Sequence, residues 1–174
     1  MLQLPTAETP IRDALEYYVQ TVSPRKRSYD SEVYRVRTLQ DLMGDLRLDE
    51  VAPMHVVSFR EMRLATPLKR DPNRLLATST VKAEMMLLSH LYSTAISEWG
   101  LDQLVNPVAK IRKPKAPPGR TRRLTAYEEK KLLREAARHS NPEFYAIVAI
   151  ALQTGMRQGE VLGLLWENVD WDRR

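Results

Sequence analysis

Apolar residues recur at helical spacing along the first part of the chain. The first run predicts a helix with Thr9 as its N-cap and Pro10 at its first position, ending at Ser23-Pro24. The second run predicts a helix over about 28–43, followed by Gly44 where a C′ glycine usually lies. Each run presents an apolar face, so both helices should bury one side. Three tyrosines are expected in the core: Tyr18, Tyr29 and Tyr92.

Two more helices are predicted in the same region. One covers roughly 53–64. The other has the widest apolar stripe, with cap candidates at 78–80 and its end at Gly100. The stretch 66–77 between them contains two prolines and several basic residues, and predicts a loop. Four amphipathic helices without an alternating strand pattern predict a small all-α domain, which we place at 1–109.

The positive charge is concentrated in one short segment. Residues 1–109 and 124–174 each contribute −1 to the net charge of +5, whereas 110–123 hold seven basic residues and no acidic one. The seven are Lys110, Arg112, Lys113, Lys115, Arg120, Arg122 and Arg123. Prolines and a glycine interrupt them, so the segment predicts a linker that binds a polyanion. A solvated connector without a partner is the alternative.

Beyond the linker, the pattern predicts a second domain. Thr125 and Glu128 match a capping box, with threonine at N-cap and glutamate at N3, for a helix to about Arg138. The next helix, starting at Asn141-Pro142, is apolar on almost every side from Phe144 to Leu152 and should be buried all round. About fifty residues are too few to cover it, so we expect this domain to be incomplete.

The remaining residues and the composition add further expectations. Residues 156–165 predict one more short helix, and Val169 is a candidate strand start. The chain has no cysteine, which excludes disulfides and thiolate metal sites, and no apolar run of about 18 residues for a membrane span. Its first residues lack the pattern of a signal peptide. A soluble, cytoplasmic protein is predicted.

Residues 154–164 read Thr-Gly-Met-Arg-Gln-Gly-Glu-Val-Leu-Gly-Leu. This segment resembles the motif around the first catalytic arginine of the tyrosine recombinases, also called phage integrases. The resemblance implies that Arg157 contacts the scissile phosphate and that Glu160 orients it. A guanidinium matches two phosphate oxygens in one plane, where phosphoryl transfer needs charge stabilisation. Spacing alone would also allow an ordinary surface ion pair.

Other segments resemble the same family. Arg123-Leu124-Thr125 is similar to the start of its catalytic domain, Asn106-Pro107-Val108 to its interdomain joint, and 7–109 to its four-helix core-binding domain. The resemblance implies a mainly α chain: a four-helix SAM-like core-binding domain (1–109), a basic linker (110–123) and the α-helical opening of a truncated α+β catalytic domain (124–174). The family's tyrosine nucleophile and its other catalytic residues lie downstream, so this chain should bind DNA without cutting it.

The resemblance implies double-stranded DNA as the principal partner and other recombinase protomers in the full-length protein. It implies neither a metal ion nor a nucleotide cofactor. Candidate phosphate contacts are the linker cations and nine residues of the first domain: Arg25, Lys26, Arg27, Lys69, Arg70, Arg74, Ser79, Thr80 and Lys82. Two other interpretations stay open: a non-enzymatic DNA-binding regulator or integrase relic, and a helical protein-interaction module whose linker binds an acidic partner.

Overall fold

The computed structural model describes residues 3–115, 118–119 and 121–170. They form two compact units, unit 1 up to Pro118 and unit 2 from Gly119 onward. Unit 1 contains helices α1 (Ile11–Thr21), α2 (Tyr29–Met43), α3 (Pro53–Leu64) and α4 (Thr78–Ser97), a 3₁₀ turn (Ser23–Arg25) and an antiparallel hairpin of β1 (Pro67–Leu68) and β2 (Asp71–Leu75). Unit 2 contains α5 (Ala126–Ala137), α6 (Phe144–Thr154), α7 (Gln158–Leu162) and a 3₁₀ turn (Trp166–Asn168).

Helix α4 forms the centre of the unit 1 core, and α1, α2 and α3 all pack against it. Its apolar residues Met85, Leu88 and Leu91 are completely buried. Tyr92 is buried as well, and its hydroxyl donates a 2.8 Å hydrogen bond to the Leu48 carbonyl. That bond satisfies the polar end of a ring placed in an apolar core. The mainly helical architecture predicted from the apolar pattern is confirmed.

The segment after α4 closes this core. Gly100 adopts a left-handed conformation (φ 72°), which lets the chain turn back, and Leu104 and Val108 are buried. The Asn106 side chain fixes the turn, because its amide donates to the Ser89 carbonyl at 3.0 Å and its oxygen accepts from the Val108 N–H at 3.0 Å. Residues 101–108 therefore belong structurally to the helical domain.

Two helix starts differ from the sequence prediction. Helix α1 begins at Ile11 with Pro10 as N-cap, and the Thr9 hydroxyl accepts from the Thr6 N–H (2.8 Å) without capping the helix. Helix α4 begins after Ala77, so the predicted cap residues 78–80 lie inside its first turn. In both cases the N-cap residue, Pro10 or Ala77, has an extended backbone conformation, and no side chain caps the helix.

The predicted loop at 66–77 is wrong in part, because Leu68 pairs with Asp71 and Pro67 with Leu75 in the hairpin. Lys69 and Arg70 form its tip. Pro67 and the polar residues of β2 conceal these short strands from a search for alternating apolar positions. The burial predicted for Tyr29 is also wrong: its ring is 41% exposed, because it is the first residue of α2 and lies at the edge of the core.

In unit 2 the predicted capping box is confirmed. The Glu128 N–H donates to Thr125 Oγ1 at 3.3 Å, and the Thr125 N–H donates to the Glu128 carboxylate at 2.9 Å. Helix α6 starts later than predicted, because Asn141 forms a turn before it. Helix α7 is shorter than predicted, because it ends at Leu162. The described residues of unit 2 contain no strand; Val169 is extended, and Trp171 lies outside the described residues.

We expect amide hydrogen exchange to differ sharply between the two units. No residue of α6 is buried, and the buried apolar residues of the described part of unit 2 are Ala136 and Val161. An 11-residue helix without a buried face is marginal in water. The core amides of α4 should therefore exchange slower than those of α6 by a factor of about 10³ or more. Mass spectrometry of exchanged peptides would measure the ratio. Equal protection of α4 and α6 that persists when the protein is diluted tenfold would contradict this expectation.

Candidate nucleic-acid interface

Ion pairing divides the cations of unit 1 into two groups. Of the 13 lysines and arginines before position 110, five pair with carboxylates: Arg12, Lys26, Arg47, Arg60 and Arg63. The other eight have no side-chain hydrogen bond or ion pair within the described residues: Arg25, Arg27, Arg35, Arg37, Lys69, Arg70, Arg74 and Lys82. Unpaired cations lose no internal partner when they contact a phosphate.

A groove in unit 1, which we call the α2–hairpin groove, brings part of this second group together. It has a volume of about 850 Å³ and lies between one face of α2, the hairpin tip and the start of α4. Arg35 and Arg37 line it from α2, and Lys69 and Arg70 line it from the hairpin. Thr80, a predicted phosphate contact, lines it from α4. Residues distant in sequence therefore form one basic surface.

A second, smaller groove of about 450 Å³ adjoins the first through Arg35, which lines both. Its other lining residues include Ser79 and Lys82 of α4, and Lys26. Residues from three separately predicted clusters thus lie around Arg35: the first interhelix loop, the hairpin and the start of α4. Arg35 itself was not among the predicted phosphate contacts. The remaining predicted residues Arg25, Arg27 and Arg74 are exposed.

Lys26 differs from the other predicted phosphate contacts because its ammonium group already has partners. It donates to Glu32 at 3.0 Å and to the Tyr18 hydroxyl, and a 2.6 Å hydrogen bond joins that hydroxyl to Nδ1 of His90. Burial acts to lower the pKa of Lys26, but the hydrogen bonds with Tyr18 and Glu32 raise it above its ordinary value. Burial, and then the nearby Lys26 charge, lower the pKa of His90. A phosphate contact by Lys26 would compete with these bonds.

The basic segment starts on the surface of unit 1. The Ile111 side chain packs against the core, and the Arg112 carbonyl accepts a 2.7 Å hydrogen bond from Arg60. Four cations have no side-chain partner within the described residues: Lys110, Arg112, Lys113 and Lys115. Further along, Arg122 pairs with Glu128, Arg123 is exposed, and Arg120 lies outside the described residues.

In unit 2, Arg157 stands at the entry to α7. Gly155 ends α6 in a left-handed conformation (φ 68°), which turns the chain toward Arg157. The Thr154 hydroxyl supports this turn, because it donates to the Ile150 carbonyl at 2.7 Å and accepts from the Met156 N–H at 3.2 Å. The Arg157 side chain is 87% exposed, so its guanidinium can reach an external anion.

Glu160 holds Arg157 through two contacts. Its carboxylate accepts from the Arg157 backbone N–H at 2.8 Å and from the guanidinium at 3.0 Å. These hydrogen bonds, the backbone one first, hold the pKa of Glu160 below its usual range. The carboxylate therefore stays ionised at neutral pH, and the cap and the ion pair are lost only as the pH falls through that lowered pKa. Arg157 is oriented but keeps N–H groups free for a phosphate.

Within the described ranges, no group of three or more histidines and acidic residues could hold a metal ion, and no helix is long and apolar enough to span a membrane.

The predicted cations Lys69, Arg70 and Lys82 line the two grooves, whereas Arg35 and Arg37 were not predicted from the sequence. Each has an acidic residue one helical turn away, Glu32 for Arg35 and Asp41 for Arg37, so the sequence allowed local ion pairs.

No protein-family model matches the chain. It is 40% identical over 158 residues to a shufflon-specific DNA recombinase of Escherichia coli, covering 90% of this chain and 40% of that protein. A Haemophilus influenzae protein assigned to the integrases and recombinases is 28% identical over 172 residues, covering 93% of this chain and 44% of its own length. The chain thus spans about two-fifths of the length of these relatives.

The fold is also similar to a solved structure, that of a lambda integrase dimer bound to a COC′ core site, with a TM-score of 0.67. That match covers 92% of this chain and 43% of the integrase chain, at 20% sequence identity. The similarity to the recombinases over nine-tenths of the chain, the shared fold and the Arg157 motif agree with one another. Together they support the similarity of the chain to the tyrosine recombinase, or phage-integrase, family.

Proposed function

We propose that this chain is the DNA-binding portion of a site-specific tyrosine recombinase that acts in DNA integration or recombination. The observation that carries the proposal is that four cations lining the α2–hairpin groove have no ion pair or side-chain hydrogen bond within the described residues: Arg35, Arg37, Lys69 and Arg70. The fifth cation of the groove, Arg63, is held by Glu84. The recombinase similarity supports DNA as the polyanion. The relatives come from bacteria, whose DNA lies in the cytoplasm, and we propose that the protein acts there.

Duplex DNA fits the chemistry of this surface. Phosphates repeat along each strand and supply most of the affinity of basic proteins for DNA. Lys69 and Arg70 at the hairpin tip line the α2–hairpin groove, and Lys82 near the start of α4 lines the adjoining groove. We propose that all three meet phosphates. Hydroxyls such as those of Ser79 and Thr80 also bind phosphate oxygens at a helix start. We propose that unit 1 and the basic segment both contribute to this grip.

In the whole recombinase, we propose that Arg157 stabilises negative charge on the scissile phosphate while DNA is cut and rejoined. Its exposed guanidinium offers planar donors for non-bridging oxygens, and Glu160 limits its freedom before DNA binds. Glu160 acts through Arg157 and is a positioning residue. Other protomers of the recombinase would assemble on the same DNA. This chain by itself is expected to bind DNA without cleaving it.

Replacing both Arg35 and Arg37 by alanine should reduce the dependence of DNA affinity on salt. Each lost phosphate contact flattens the plot of log K against log salt by about 0.9, so the pair should flatten it by about two units. Fluorescence anisotropy of a labelled duplex of arbitrary sequence, titrated at several KCl concentrations, measures the slope. The variant tests the two residues that only the structure revealed.

The matched control is the double variant Arg12→Ala and Arg47→Ala, which removes the same charge from arginines that are already paired. Its slope should stay within about half a unit of the parent slope. Equal flattening of the slope in both double variants would show that DNA binding depends on net charge alone. Absence of DNA binding by the parent chain at low salt would overturn the proposed function and favour a protein-interaction module.

A further inference from the structure

The α2–hairpin groove contains a feature that phosphate binding does not explain, the carboxylate of Asp41. Two acidic residues line the groove. Glu84 is neutralised by Arg63, at 2.6 Å, and is almost fully buried. Asp41 is exposed and has no hydrogen bond or ion pair among the described residues. A free negative charge thus faces the surface that the unpaired arginines make basic.

A carboxylate on a basic surface weakens phosphate binding, because it repels the DNA backbone. Its chemistry suits another part of DNA. An ionised carboxylate only accepts hydrogen bonds, and in the major groove the N4 amino group of cytosine is a donor that aspartate and glutamate contact. Since Arg37 is one turn away and does not neutralise Asp41, the acid stays available to an external donor.

Two neighbours of Asp41 strengthen this interpretation. Thr38 and Tyr34 lie one and two turns earlier, respectively, on the same face of α2, and both line the groove. Tyr34 is 69% exposed, and its hydroxyl has no hydrogen-bond partner in the described part of the chain. From 34 to 41 the helix rises about 10 Å, close to three base pairs of about 3.4 Å each. The stripe formed by Tyr34, Thr38 and Asp41 thus offers a carboxylate acceptor, two hydroxyls and an aromatic ring. These groups can form hydrogen bonds and apolar contacts with base edges.

We propose that Asp41, with Tyr34 and Thr38 beside it, determines which DNA sequence this unit prefers, and that Asp41 accepts a hydrogen bond from the N4 amino group of a cytosine in the major groove. The unpaired cations of the groove bind phosphates, and the face of α2 that carries Tyr34, Thr38 and Asp41 meets the base edges. This inference rests on the proposed DNA-binding function and adds sequence discrimination to it.

The test is selection of duplexes from a pool with about 20 randomised base pairs, using the full 174-residue chain. The parent chain should enrich cytosine at one position. Asp41→Ala should lose that preference by a factor of about 5 to 150, the range of one good base contact. Asp41→Asn should shift the preference to adenine, because an amide pairs with adenine N6 and N7. Both variants should bind unselected DNA more tightly than the parent, since a repulsive charge has gone.

Asp102→Asn is the matched control, because it removes the same charge from an exposed aspartate outside the groove. It should leave the selected motif unchanged, and circular dichroism would verify that every variant folds. An unchanged motif in both Asp41 variants overturns the inference, as does a parent chain that binds the pool without enriching any motif. A parent chain that does not bind the pool overturns the proposed function instead, so the two failures are distinguishable.

Discussion

Replacing Glu84 by alanine is expected to lower the free energy of unfolding of unit 1 by about 3–5 kcal/mol. The Arg63 guanidinium donates to both carboxylate oxygens of Glu84, at 2.8 and 2.6 Å, and the two side chains are only 15% and 3% exposed. The hydrogen bonds that Arg63 donates to Glu84 raise the pKa of Arg63. A guanidinium does not lose its proton in proteins, so Arg63 stays charged when Glu84 is removed. The cost comes from leaving that charge in a poorly hydrated site between α3 and α4. Urea titration followed by circular dichroism would measure it.

Glu61→Ala provides the control, because Glu61 also pairs with an arginine but is 62% exposed. Its loss should cost about 1 kcal/mol or less. The double variant Arg63→Met and Glu84→Met should recover most of the stability, since apolar side chains of similar size can replace a buried ion pair. A loss below about 1 kcal/mol for Glu84→Ala alone would show that water already reaches the pair.

The features that the sequence predicted well depend on neighbouring residues. The capping box of Thr125 and Glu128 needs only a spacing of three residues and a helix start, and it forms as predicted. Helix α4 was predicted because its apolar stripe is wide and continuous. The contact between Arg157 and Glu160 is of the same local kind, and the structure adds that the carboxylate also binds the backbone N–H at the helix entry.

The candidate interface was less predictable, because its decisive property is which cations lack partners. Arg35 and Glu32 are spaced for an ion pair along α2, but the fold brings Lys26 to that carboxylate. Glu84 is 21 positions from Arg63 and meets it only after α3 and α4 pack. Pairing across such distances depends on tertiary structure, so Arg35 could not be identified as available for phosphate from helical spacing alone. The Lys26 contacts were hidden for the same reason.

The hairpin shows a different limit. Its first strand has two residues, Pro67 and Leu68, and its second contains another proline. Strands this short bury little apolar surface of their own, so no alternation of apolar and polar residues marks them. Their pairing is imposed by the ends of α3 and α4, which place the two segments side by side. The consequence for the interface is direct, since the hairpin tip presents Lys69 and Arg70.

Replacing the four unpaired cations at the start of the basic segment by alanine should flatten the salt dependence of DNA binding by about three to four units. These residues are Lys110, Arg112, Lys113 and Lys115. The hydrogen bond from Arg60 fixes the Arg112 backbone on unit 1 and leaves its side chain free. Each cation that meets a phosphate releases counterions, which makes affinity steeply dependent on salt. Between about 50 and 200 mM salt, the affinity of the variant should change roughly a hundredfold less than that of the parent.

The control removes four cations from α5 and its C-cap by the same substitution: Lys130, Lys131, Arg134 and Arg138. It changes the net charge of the chain equally but leaves the basic segment intact, so its slope should stay closer to the parent slope. Fluorescence anisotropy on one duplex, with salt as the variable, compares the three proteins directly. An unchanged slope in the first variant would mean that residues 110–115 do not contact DNA. Equal flattening in both would mean that phosphates are met along α5 as well, and the grip would then extend into unit 2.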